Sequence, residues 1–167
     1  VSVHLSGGIS GTVESARQAA ADVTGARIEI VDSRSVAGGL ALVVYAAIAG
    51  VRAGLDVEGV AAQARDAAER HRIYFCVDDL EYLHRGGRIG RAQAWIGSAL
   101  AVKPILSFSE GVLEPVERVR TLRRMVERMI QHLAEFGETG RGAWLVQHAQ
   151  APDLAAELAA RGTELLG

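Results

Sequence analysis

The stretch HLSGGISGT, His4–Thr12, lies between a short apolar run and an alanine-rich segment with helical periodicity. Glycines allow the backbone to approach an anion closely, and a helix N-terminus presents unpaired N–H groups at the positive end of its dipole. A strand-to-helix junction of this kind favours an α/β fold, in which ligands bind beyond the carboxyl ends of the strands. The stretch therefore predicts either a cradle for a phosphate or carboxylate, or a plain turn with Ser10 as a helix cap.

Composition excludes several classes of protein. The 167 residues are 49% hydrophobic and 23% charged, with a net charge of -2, so nothing drives the chain toward nucleic acid or an anionic membrane. The single cysteine, Cys76, excludes an intramolecular disulfide and is expected to be a buried, inert thiol. The uncharged run Val36–Val51 is too short to span a membrane and predicts a helix that is buried on most of its faces. Because Val1 already lies inside an apolar run, we expect a piece of a longer protein.

Strands alternate with helices early in the chain, whereas a hairpin around Glu110-Gly111 appears later. This order predicts a two-lobed α/β fold: a parallel, Rossmann-like lobe over residues 1–70 that carries the anion-binding loop, then a mixed or antiparallel α/β lobe over residues 71–167. The predicted strands are Val1–Leu5, Arg27–Val31, Arg72–Val77, Ile105–Phe108, Val112–Val119 and Ala143–Gln147. The predicted helices are Thr12–Val23, Val36–Ala53, Asp56–Arg70, Asp79–His84, Gln93–Ala101, Thr121–Phe136 and Pro152–Ala160.

A local basic cluster, LHRGGRIGR, covers Leu83–Arg91. The guanidinium fork suits a carboxylate or a phosphate. Arg85 and Arg91 are expected to be solvated, whereas Arg88, between a glycine pair and Ile89, is expected to have a fixed, inward role.

A second basic segment, RVRTLRRMVER, covers Arg118–Arg128 and places arginines on one face of a predicted helix. Such a face is either solvated surface or a docking surface for an acidic partner, with Arg120 and Arg124 as the candidates. Since no aromatic residues are interleaved, it is a poor stacking surface for nucleic acid. The histidines lack metal-ligand spacing, and the chain has neither a G-x-S-x-G elbow nor a Walker lysine.

Three segments together resemble, in order and spacing, the DegV family of bacterial fatty-acid-binding proteins. They are LSGGISGT (residues 5–12), IVDSRSVAGGLAL (30–42) and FCVDDLEYLHRGGRIGRAQAWIGSALAVKPILSFSEGVLEPVERVR (75–120). The resemblance implies two α/β lobes with a long-chain fatty acid between them. It also implies a cytoplasmic lipid-binding subunit of a fatty-acid kinase, which presents the carboxylate to a separate catalytic subunit and is not itself an enzyme. No cofactor or metal is expected, and only transient membrane contact.

The resemblance also implies site residues. It places the carboxylate at Ser6, Gly7, Ser10 and Arg88. A lipid tunnel also needs an apolar wall, for which the candidates are Ile9, Leu40, Phe75, Leu100 and Ile105, each of which is otherwise an ordinary core residue. Two positions depart from the family pattern, because Gly7 replaces the second serine of the loop and Gly90 replaces the serine two residues after Arg88. Further head-group contacts of the family belong to segments before Val1 and after Gly167.

A fatty acid is physically reasonable. Burying about fifteen methylenes favours binding by about 12 kcal/mol before the costs of association. A buried carboxylate without partners would remove much of this, so a lipid site needs a polar cluster at one end. The first alternative is an enzyme that binds a phosphate ester in a compact polar pocket with the glycine-serine loop. The second is an interaction module that uses the Arg118–Arg128 face.

Overall fold

The computed structural model describes residues 1–96, 102–137 and 142–167. The chain divides into two compact units. Unit 1 comprises Val1–Ile73 together with Phe108–Val112, and unit 2 comprises Tyr74–Ser107 together with Leu113–Gly167. The short segment Phe108–Val112 belongs to unit 1 although the residues on both sides of it belong to unit 2, so neither unit is one continuous piece of the chain.

Unit 1 is built on two parallel strands, β1 (Ser2–His4) and β2 (Ile30–Asp32), with Val3 opposite Val31. Helix α1 (Thr12–Ala21) connects these strands, as parallel pairing requires. Helices α2 (Ala37–Arg52) and α3 (Val57–Arg70) follow.

The core of unit 1 lies where α2 and α3 pack against each other and against β2. Its buried residues are Val31, Val43, Ala47, Val60, Ala61, Ala64 and Ala68. The alanines of α3 let the two helices approach closely. The predicted cap of α3 is confirmed, since Asp56 Oδ1 accepts a hydrogen bond from the Gly59 N–H at 2.8 Å.

The expectation that α2 is buried on most of its faces is wrong. Only Gly39, Val43, Ala47 and Gly50 are buried, on the side that faces α3, whereas Tyr45 is 60% exposed. The physical reason is that, among the described residues of unit 1, only one flank of α2 has a helix packed against it.

The side chain of His71 packs beside the first turn of α2, and burial lowers its pKa. Its Nδ1 donates to the Ala68 carbonyl at 2.9 Å. The unfolded chain takes up this proton near pH 6.5 but the folded chain only at a lower pH, so we expect stability to fall as pH drops below about 6.5. The variant His71→Asn keeps a donor for Ala68 and should show a smaller loss of urea midpoint between about pH 7.5 and 5.5. The exposed His84, replaced by asparagine, is the control, and an equal pH dependence in wild type and His71→Asn would contradict the prediction.

Unit 2 contains a three-stranded sheet in the order β3 (Tyr74–Cys76), β4 (Lys103–Ser109), β5 (Val112–Val119), in which β3 and β4 are antiparallel. Its helices are α4 (Glu81–Arg85), a 3₁₀ helix (Gly90–Trp95), α5 (Leu122–Gly137) and α6 (Pro152–Leu166). A parallel sheet followed by an antiparallel one confirms the predicted fold class.

Side chains alternate across the unit 2 sheet, so the neighbours Ile105 and Leu106 enter different clusters. Leu106 packs with Ile89, Ala92 and Leu113. Ile105 packs with Val119 at the end of β5 and with Met125 and Val126 of α5. The sheet is therefore covered on both faces.

Two sequence-based predictions in unit 2 need correction. Residues 143–147 form neither helix nor strand, although Trp144 and Val146 are half-buried and alternate with exposed neighbours. A strand requires a hydrogen-bonded neighbour, and the described residues supply none for this segment. The predicted helix Gln93–Ala101 is a 3₁₀ helix over Gly90–Trp95, and residues 97–101 lie outside the described residues.

None of the helices within the described ranges combines the length and apolar character that crossing a membrane requires.

Candidate anion-binding loop

The loop between β1 and α1, residues 5–11, is called here the opening loop. The chain reverses direction after Ser6, whose carbonyl accepts hydrogen bonds from the N–H groups of Ile9 at 3.3 Å and Ser10 at 3.1 Å. These two bonds direct the chain into α1, so that the loop and the helix N-terminus form one continuous surface.

Asp32 holds the start of the opening loop. Its Oδ2 accepts from the Gly7 N–H at 3.1 Å, and its Oδ1 accepts from the Arg34 N–H at 2.8 Å. Sequence analysis did not single out Asp32. The available signal was its position at the end of β2, because the carboxyl ends of neighbouring parallel strands meet at one edge of a sheet.

Gly7 fits tightly against this carboxylate. A Cβ at position 7 would lie 2.9 Å from Asp32 Oδ2 and 2.9 Å from Val13 Cγ1. Val13 is buried and β-branched, so it adjusts poorly. The glycine that departs from the family pattern is therefore matched to its surroundings in this chain.

Ser6 is completely buried, and its hydroxyl donates to the Gly111 carbonyl at 2.6 Å while it accepts from the Gly8 N–H at 3.1 Å. A serine hydroxyl carries a single proton. That proton is directed at Gly111, so Ser6 as placed here does not donate to a ligand.

Ser10 and Thr12 form a hydroxyl pair at the entrance to α1. Their oxygens are 2.7 Å apart, and Ser10 Oγ also accepts from the Thr12 N–H at 3.3 Å. Gly11, rather than Ser10, is the N-cap residue. The pair has two protons and uses one between its members, so the other can be donated to an anion.

Three backbone N–H groups in the first turn of α1 complete the donor set. Within the described ranges, the N–H groups of Gly11, Val13 and Glu14 have no hydrogen-bond acceptor. They lie at the positive end of a ten-residue helix. Gly11 and Glu14 are exposed whereas Val13 is 2% exposed, so this surface offers an anion the Gly11 and Glu14 N–H groups and one hydroxyl.

The arginines of the Leu83–Arg91 cluster lie in unit 2 and are exposed. Arg88, expected to point inward, is exposed, and its Nη1 donates to the Gly86 carbonyl at 2.5 Å. Arg85 pairs with Glu81 at 2.5 Å and Arg91 with Glu114 at 3.6 Å. Arg85 and Arg91, which were expected to be solvated, are therefore exposed members of surface ion pairs, and such pairs contribute little to stability.

The expected tunnel residues occupy different environments. Ile9 and Leu40 of unit 1 are half-buried, as is Phe75 of unit 2. Ile105 is fully buried in the cluster beneath α5. Leu100 lies outside the described residues.

The remaining candidates lie in unit 2. In the basic segment, Arg120 and Arg124 are exposed, and Arg124 pairs with Glu127 at 3.2 Å.

Burial raises the pKa of the half-buried Cys76 thiol, which keeps it protonated and unreactive. No cluster of metal-ligating side chains occurs in the part of the chain that the structure describes.

Comparison with known proteins places this chain in a family. The family model described as "Uncharacterised protein, DegV family" matches residues 1–165. A DegV domain-containing protein of Streptomyces coelicolor is 40% identical over 161 residues, which are 96% of this chain and 57% of that protein.

Two solved structures are similar as well. DegV from Bacillus subtilis, a fatty acid binding protein, has 32% identity and a TM-score of 0.78 over 98% of this chain and 61% of that one. A DegV family protein from Thermus thermophilus, described for its fatty acid binding, has 35% identity and a TM-score of 0.72 over 81% of this chain and 48% of that one. The chain thus spans roughly half to three-fifths of the relatives that it matches. With the family model matching nearly every residue, this chain belongs to the DegV family.

Proposed function

We propose that this protein binds a long-chain fatty acid and holds its carboxylate at the opening loop and the N-terminus of α1. The observation that carries the proposal is that the exposed residues Gly11 and Glu14 have N–H groups without an acceptor in the described ranges, beside the Ser10–Thr12 hydroxyl pair. The fatty acid binding of the Bacillus subtilis and Thermus thermophilus relatives supports the choice of ligand.

The charge around the loop favours a carboxylate over a phosphate ester. No lysine or arginine occurs between Leu5 and Glu14, and the Asp32 carboxylate already takes the Gly7 N–H. The Asp32 carboxylate repels a phosphate dianion about twice as strongly as a monoanion, and the exposed Arg34, whose N–H also bonds to Asp32, is the adjoining cation for either anion. A monoanion needs fewer donors, which argues against the alternative of a phosphate-ester enzyme.

The resemblance adds two finer parts to the proposal. Arg88 as a head-group contact stays a prediction, as do the contacts of the acyl chain, which are Ile9, Leu40, Phe75, Leu100 and Ile105. The second part is a cytoplasmic carrier that is not itself catalytic and that offers the carboxylate to a fatty-acid kinase. The exposed Arg120 and Arg124 are the proposed docking residues for that partner.

Lipid extraction and a binding titration test the proposed ligand and the proposed hydroxyl donors. The protein is purified and denatured, and the released lipid is identified by mass spectrometry. Stripped protein is then titrated with labelled palmitate. We expect a long-chain fatty acid, and we expect Ser10→Ala combined with Thr12→Val to weaken palmitate binding roughly tenfold, as the loss of a hydrogen bond to a charged group does. The exposed Ser15 of α1, replaced by alanine, is the matched control.

The same loaded protein, mixed with ATP and a fatty-acid kinase catalytic subunit, should yield acyl phosphate. Its absence would remove the kinase from the proposal and leave lipid binding intact. No extracted lipid together with no palmitate uptake would overturn the proposed function itself.

A further inference from the structure

The tip of the β4–β5 hairpin, Phe108–Val112, belongs to unit 1 and lies against the opening loop. We infer that this tip is a positioning element, and that the hydrogen bond from Ser6 to Gly111 holds the opening loop in its anion-accepting shape. The inference rests on the proposed function for the ligand, but its structural part can be measured without any ligand.

The tip is a tight two-residue turn. Glu110 has φ 51° and Gly111 has φ 80°, which is the left-handed pair that closes a hairpin in a type I′ turn. Gly111 is buried, and its carbonyl faces the buried hydroxyl of Ser6 at 2.6 Å. A hydrogen bond between two buried groups matters because each group would otherwise be left without a partner and without water.

Close packing supports the hydrogen bond. A Cβ at Gly8 would lie 2.5 Å from the Gly111 carbonyl oxygen, and a Cβ at Gly111 would lie 2.6 Å from Ser6 Oγ. At Gly8 the obstacle is backbone, which cannot rotate aside as a side chain can. The loop and the tip approach so closely only because both positions are glycine.

Ser6 transmits this contact to the anion-binding surface. Its hydroxyl accepts the Gly8 N–H, and its carbonyl accepts the N–H groups of Ile9 and Ser10. These bonds immediately precede Gly11, the first of the donors at the start of α1. If the tip withdrew, the Ser6 N–H would still donate to the Ser35 carbonyl at 2.9 Å, but the Ser6 hydroxyl that accepts the Gly8 N–H would no longer be fixed.

The test compares Ser6→Ala with Ser35→Ala in the full chain. Ser35 is equally buried in the same unit, but within the described residues its hydroxyl has no hydrogen-bond partner, so its removal breaks no bond. We expect Ser6→Ala to speed amide exchange at Gly8, Ile9 and Ser10 at least tenfold relative to the exchange of α3, and to weaken palmitate binding about tenfold. Ser35→Ala should change neither, and Ser6→Thr, which keeps the hydroxyl, should recover part of both.

The outcomes separate the two proposals. Unchanged loop exchange and unchanged affinity in Ser6→Ala would overturn the positioning role while palmitate binding by the wild type upholds the proposed function. A wild type that binds no palmitate would overturn the proposed function, and the exchange comparison would still decide the role of the tip. If Ser6→Ala does not fold, wild-type exchange decides: the loop amides should open together with the β5 amides next to the tip, and loop opening without the hairpin would overturn the inference.

Discussion

Replacing Gly90 by alanine should lower the free energy of unfolding by about 2–4 kcal/mol, one of the two largest effects that we expect for this chain. Gly90 has φ 53°, in the left-handed region that favours glycine. A Cβ there would also overlap the Leu113 carbonyl oxygen and lie 3.1 Å from the Leu113 nitrogen. Both obstacles are backbone atoms of β5, so neither can move without disturbing the sheet.

Gly87→Ala is the matched control. Gly87 has φ 70°, and no atom lies within 4 Å of where its Cβ would be. Its replacement should therefore cost only the left-handed conformation, about 1–2 kcal/mol. Urea denaturation of the two variants separates the conformational part from the steric part, and equal losses would mean that the chain at position 90 relaxes away from Leu113.

Replacing Ile105 by alanine should lower the free energy of unfolding of the fatty-acid-free protein by about 2–5 kcal/mol. Ile105 has no exposed surface and packs against Val119, Met125 and Val126. Truncation removes buried methyl groups and leaves a cavity between the sheet and α5, because close-packed neighbours collapse only in part.

This result would also decide what Ile105 does. Ile96 of the same unit is 40% exposed, so Ile96→Ala should cost far less and serves as the control. A residue that only lines an acyl tunnel would show the opposite behaviour, with a small loss of stability and weaker palmitate binding. That outcome would support the prediction that Ile105 lines the tunnel.

The loop illustrates how far a motif can be interpreted. Glycines and hydroxyls at a strand-to-helix junction predicted an anion cradle, and the structure has unpaired N–H groups there because a helix terminus leaves its first N–H groups without intrahelical partners. Which of its hydroxyls remain available for a ligand depends on residues that are distant in the sequence. Ser6 is 105 residues away in sequence from Gly111, which takes its proton.

Local sequence alone was enough to predict the α/β class, the Asp56 cap of α3 and the hairpin around Glu110-Gly111. Each depends on periodicity, capping or turn chemistry within a few residues. Three features required the folded structure: the hydrogen bond from Ser6 to the hairpin tip, the exposure of Arg88 and the burial of α2 on one flank. These features depend on which distant groups meet, since a hydrogen bond or a buried face requires a partner that local sequence does not name.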